Sequence, residues 1–152
     1  MKSFTYRLEA LLNLRQLERD ESLRHFANAI SERKIAENLV IDTKNKADSI
    51  QKLLREKSRG FFSADELYAL HLSFDNMLEV LKEKKHNLSQ KLSHENNLKK
   101  VFIEKDSALK SISRLREVKK EEHLSVERKK EDLELEDVIN ARFSYLQNQK
   151  TF

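Results

Sequence analysis

Ser58-Arg59-Gly60-Phe61-Phe62-Ser63 is the stretch on which the reading of this chain turns. Gly60 is the only glycine in 152 residues, and there is no proline. Glycine takes left-handed backbone without a Cβ penalty and commonly sits just past a helix end, which is the geometry expected of Gly60. Lys57 and Arg59 are cations of the kind that favour a helix C-terminus. A restart follows at once. Ser63-Ala64-Asp65-Glu66 reads as a capping box, the Ser63 hydroxyl accepting from the Glu66 amide and the Glu66 carboxylate returning to the Ser63 amide. One stop and one start, with no other strong breaker, predict two long helices folded into an antiparallel hairpin. The expected helices cover 5–57 and 64–145 of a single 1–152 coiled-coil domain, with a turn at 58–63 and Leu54 near Leu67 or Leu70.

Composition agrees with a thin molecule. Charged residues make up 37% and hydrophobic residues 38%, with no tryptophan. Such a chain buries a narrow seam along a helix pair rather than a broad core. With no cysteine there is neither a disulfide framework nor a thiolate metal site, as suits a reducing cytoplasm. The opening Met1-Lys2-Ser3-Phe4-Thr5-Tyr6-Arg7 lacks the apolar core of a signal peptide, and no run approaches a membrane span. The expectation is a cytoplasmic protein peripheral to a membrane complex.

In the first helix, Ser3 or Thr5 is the expected N-cap. Leu8, Leu11, Leu12 and Leu14 crowd the first two turns, flanked by Arg7 and Arg15, eight residues apart and so roughly on one side. Leu23, Phe26 and Ile30 keep a three-and-four spacing, which Leu39, Val40, Ala47, Ile50, Leu53 and Leu54 resume. The leucine-rich start has two readings that can both hold: packing against the second helix, or docking into another protein.

In the second helix a 3-4 template from Leu67 runs through Leu70, Phe74, Met77, Leu81, Leu88, Leu98, Phe102, Leu109 and Ile112. Ten of its fourteen positions from 67 to 112 are apolar, against two of nine, Val126 and Leu133, from 116 to 144. A first helix of about 53 residues would end opposite residue ~116, where the stripe fades. The paired part would extend about 80 Å and the overhang up to about 50 Å at the usual rise. Leu135, Val138, Ile139, Phe143 and Leu146 return on a shifted face of that overhang, which points to a binding role. Ser73-Phe74-Asp75-Asn76 is a weaker break, which would make the turn-proximal piece a short separate helix.

Charge is unevenly placed. Residues 82–120 hold twelve Lys or Arg against five acids, and Glu131, Asp132, Glu134, Glu136 and Asp137 form an acidic block. A solvated helix surface explains this, and an electrostatic surface for an acidic partner is the functional alternative. Catalysis finds no support. His25, His71, His86, His94 and His123 never fall at the i, i+4 spacing of a helical zinc pair, and one glycine cannot build a phosphate loop. Nothing on exposed helical faces would raise a carboxylate pKa for acid–base work, and a helix pair offers no water-excluding pocket. No enzyme, cofactor or metal is expected. Acids interrupt the basic region and no nucleic-acid motif occurs, so no nucleic acid is expected either. Neither helix has the wide apolar face of a membrane-surface helix, so no direct membrane insertion is expected.

The two ends of the chain carry a family resemblance. Phe4-Thr5-Tyr6-Arg7-Leu8, then Leu11-Leu12-Asn13-Leu14-Arg15 and Glu18, resembles the opening F-x-(F/Y)-R-L-x-x-L-L-x-L-R-x-x-E of the flagellar export protein FliJ family. Arg128-Lys129-Lys130-Glu131, Leu135-Glu136-Asp137 and Arg142-Phe143 are similar to its closing R-R-x-E-(x)3-L-D-E-(x)4-R-F, and Asp65-Glu66-Leu67 to Leu81 fits the segment after its turn. Two departures, the order of acids in Leu135-Glu136-Asp137 and Leu133 at a usually polar position, leave the flagellar and injectisome branches open. The resemblance implies an all-α, two-helix antiparallel coiled coil like a rotary-ATPase stalk. It implies insertion of the paired termini into a hexameric export ATPase, a turn end reaching the membrane-embedded export gate, and escort of export chaperones. On that reading Tyr6, Arg7, Leu11, Arg15, Glu131, Leu135, Glu136 and Arg142 face the ATPase. Phe61, Phe62, Tyr68, Leu72 and Phe74, more apolar groups than a two-helix seam covers, face the gate. The rival is a self-associating structural scaffold; a stalk protein should be largely monomeric when isolated.

Overall fold

The computed structural model describes residues 3–60 and 62–149. Its elements are α1 (Glu9–Lys57) and α2 (Ala64–Gln149), with no strand among the described residues. The chain divides into two compact units, one of residues 1–17 and 106–152, the other of residues 18–105.

In the 18–105 unit the segments of α1 and α2 run antiparallel around the turn. Phe26 stacks on Phe102 with centroids 6.1 Å apart, and Arg33 Nε donates to Glu95 at 2.6 Å. Lys91 Nζ donates to Glu32 at 2.8 Å. That hydrogen bond, and then the Lys91 charge, hold the Glu32 carboxyl below its ordinary range. The stability this pair adds is therefore present above that range and is lost as pH falls through the lowered value.

The seam is narrower than leucine positions alone would place it. Ser22, Ala29, Ala36 and Thr43, spaced by seven, are the buried side of α1 together with Ala47. Ala29 and Ala36 are each only 3% exposed. On α2 the half-buried residues are Leu67, Leu70, Phe74, Met77, Leu81, Leu88, Leu98 and Phe102, as the 3-4 template requires. The most buried residues of α1 are thus small, whereas the apolar seam residues of α2 are large. Leu23, Leu39 and Leu53, read as seam residues from spacing, are exposed instead, whereas Phe26, Val40, Ile50 and Leu54 are half-buried.

The turn departs from one expectation. Gly60 is not in the left-handed region. The helix instead tightens as it ends: Ser58 N donates to Leu54 O, then Arg59 N to Glu56 O and Gly60 N to Lys57 O at 3.4 and 3.3 Å. A Cβ at Gly60 would lie 2.9 Å from Cε2 of Phe62, so the exposed ring would have to shift to admit one. The same ring receives Lys57 Nζ 4.9 Å from its centroid. Ser63 caps α2, accepting from the Glu66 amide at 3.3 Å. From there α2 continues through Ser73–Asn76, so no separate turn-proximal helix forms.

In the other unit, α1 begins at Glu9, later than residue 5, and Ser3 and Thr5 precede the helix rather than cap it. Glu9 N donates to Tyr6 O at 3.2 Å, closing a turn ahead of the helix. Leu11 and Leu12 are half-buried, as are Leu109 and Ile112 on α2, and Arg116 Nε donates to Glu9 at 3.1 Å. Burial on α2 does not stop at residue 116. His123 and Leu124 are half-buried, Glu127 is buried and Glu131 half-buried. The spacing shifts there because the non-helical segment before Glu9, not a helix, supplies the neighbour: the Phe4 ring lies 5.6 Å from His123. From 132 to 149 every described residue is exposed.

Candidate protein-binding surfaces

Of the many exposed apolar side chains, those singled out from the sequence fall into three groups. The first is the N-terminal segment. Phe4 and Tyr6 stack with centroids 6.4 Å apart. With Leu8 and Leu115 they wall a recess of about 610 Å³ that also carries Thr5, Arg7 and Lys119. The Tyr6 hydroxyl is buried there with no hydrogen-bond partner among the described residues. Arg7 is exposed, Leu11 is half-buried, and Arg15 is half-buried and already engaged with other groups.

The second group is the end of α2. Leu133, Leu135, Val138, Ile139, Phe143, Tyr145 and Leu146 are all more than half exposed. Leu135, Val138, Ile139 and Leu146 share one side at helical spacing, with Arg142 between them. Glu131 and Glu134 flank a shallow groove at Leu135 and Val138. Glu136 lies on another side of the helix and is exposed, so the four α2 residues expected at the ATPase do not form one patch.

The third group surrounds the turn. Tyr68 is 71% exposed, Leu72 50% and Phe62 41%, whereas Phe74 is half-buried in the seam. Phe61 lies outside the described residues. Phe62, expected within the 58–63 turn, also lays its ring beside Gly60 and under Lys57, which spacing alone does not show.

Among the described residues no group of three His, Cys, Asp or Glu can hold a metal ion. No helix is long and apolar enough to cross a membrane. The described residues form an all-α protein of two long helices packed against each other. The family model of the flagellar FliJ protein matches residues 3–150, nearly the whole chain, and the chain belongs to that family. Its role is accordingly tied to flagellar export. No curated protein and no solved structure matches it.

Proposed function

We propose that this chain is a non-enzymatic, cytoplasmic stalk of the flagellar protein-export apparatus. In this reading its terminal unit enters a hexameric export ATPase, its turn region meets the membrane export gate, and it escorts export chaperones. One observation carries the reading. The unit that holds both termini combines an apolar recess around Tyr6 and Arg7 with an α2 end whose large apolar side chains are exposed. A helix of that length is marginal without packing, so its apolar face calls for a partner.

Arginine suits the ring contact because it stays charged and takes a carboxylate in two hydrogen bonds. Exposed pairs contribute about 0–1 kcal/mol each, so the effect is graded. Arg7→Ala combined with Arg15→Ala, or charge reversal at Glu131 and Glu136, is expected to lower stimulation of the ATPase several-fold while unfolding stays cooperative. Stimulation and thermal unfolding are measured on the same variants. Full stimulation by the double-arginine variant, with lowered stability, would reduce this end to the protein's own packing. At the turn, Phe62→Ser with Phe61→Ser should weaken gate binding with helix content unchanged.

A further inference from the structure

The basic excess on α2 finds no use in that reading, and its arrangement is specific. The seam of α2 in the 18–105 unit runs through Leu81, Lys84, Leu88, Lys91, Glu95, Leu98 and Phe102, all half-buried. Each of these positions has a neighbour one residue later, and those neighbours form a second 3-4 stripe. Leu78, Lys82, Lys85, Leu92, Lys99 and Ile103 lie on it, with Ser89 and Asn96 between them, and all eight are exposed. A step of one residue turns ~100° around a helix. The second stripe therefore looks away from α1, at the angle where a further helix packs against a coiled coil.

No acid falls on the stripe itself from 78 to 103; one residue off it lie Lys100 and the acids Glu79, Glu83 and Glu104. None of Lys82, Lys85, Lys99 and Lys100 is in an ion pair within the described residues, whereas the seam lysine Lys91 pairs with Glu32. Leu78, Leu92 and Ile103 are 42%, 43% and 54% exposed. Three large apolar side chains and three lysines thus share one stripe that carries a net positive charge.

We propose that this stripe is a docking surface for an acidic amphipathic helix of a partner protein. That helix lays apolar residues at 3-4 spacing over Leu78, Leu92 and Ile103 and carries Glu or Asp on the flanks that meet the four lysines. The commitment to an acidic helix rests on charge complementarity: apolar knobs in helical register select a helix, and lysines without counter-ions select its flanking charge.

The test uses the full chain and a fluorescent synthetic helix of about three heptads with Leu in the 3-4 positions and Glu on both flanks. Control probes are the same peptide with Gln for Glu, the same with Lys for Glu, and a single-stranded oligonucleotide. Binding of the Glu peptide is expected, weakening as salt rises past about 0.1 M, where screening reaches ~10 Å. Replacing Lys82, Lys85, Lys99 and Lys100 together by Gln should weaken it about tenfold or more, since each exposed pair contributes a factor of up to about five. The four lysines lie off the seam, so the melting curve of that variant should overlay the wild type. Replacing the same four by Glu should move the preference to the Lys peptide, a swap that loss of folding cannot imitate. The proposal is overturned if the Gln peptide binds as well as the Glu peptide, or if the fourfold Gln variant binds unchanged. It is equally overturned if the oligonucleotide binds as tightly and competes, which would make the stripe a general polyanion surface. A dimer of the chain that the fourfold variant loses, with no peptide bound, would place a second copy there instead.

Discussion

Ala29→Leu together with Ala36→Leu is expected to destabilise the protein by roughly 2–6 kcal/mol, because overpacking a filled site costs about 1–3 kcal/mol each. In an ordinary coiled coil the same change would do the opposite, since Leu at a seam position buries more apolar surface. Here both alanines are 3% exposed and sit in a seven-residue series with Ser22 and Thr43. Small residues at that period set how near the two backbones lie, and a leucine must push them apart or leave its rotamer. Ile35, six-tenths exposed and next to Ala36, supplies the control. Ile35→Ser should stay within about 0.5 kcal/mol. Chemical denaturation of the two variants beside the wild type decides the matter. A double leucine variant that melts higher than the wild type would mean that the seam has room.

Phe26→Ala is expected to cost about 2–4 kcal/mol, somewhat under the usual range for a buried phenylalanine because the ring is half-buried. Its ring lies 6.1 Å from that of Phe102, close to parallel at 16°. A double-mutant cycle with Phe102→Ala should return a coupling of about 0.5–1.5 kcal/mol, the usual worth of such a pair beyond its area. Additive losses would mean that each ring packs against other neighbours. The adjacent Arg33–Glu95 pair, with side chains 23% and 18% exposed, pins the same register by charge.

The helix limits near the turn were legible because the chemistry that sets them is local. Lys57 ends α1 and Ala64 opens α2 where a lone glycine and a serine cap say they should. The α2 seam was legible too, since its apolar residues are large and recur in step. The α1 seam was one residue off in places: hydrophobicity favours Leu23 and Ile30, while close packing buries Ser22 and Ala29. Size complementarity between two helices is a property of the pair, which neither helix shows alone. The recurrence of Ser, Ala, Ala and Thr every seven residues was the available signal. Least legible was the N-terminal segment. It lacks helical structure yet places Phe4 beside His123, and burial on α2 runs on to Glu131. A helix starting at residue 5 would have ended the pairing near residue 116. Of the apolar residues singled out from the sequence, those at the end of α2 and Phe62, Tyr68 and Leu72 near the turn are exposed, as large apolar residues along both helices also are.

The central claim is that the unit holding both termini sits inside the export ATPase ring. Site-specific photo-crosslinking tests it most directly, with the crosslinker placed in turn at Tyr6, Leu135, Val138 and Leu146, and at Ile35 and Leu53 of the 18–105 unit. The account predicts ATP-dependent crosslinks to the ATPase from the first four positions and none from the last two. Crosslinks to the ATPase from Ile35 and Leu53, with none from Leu135, Val138 and Leu146, would contradict it.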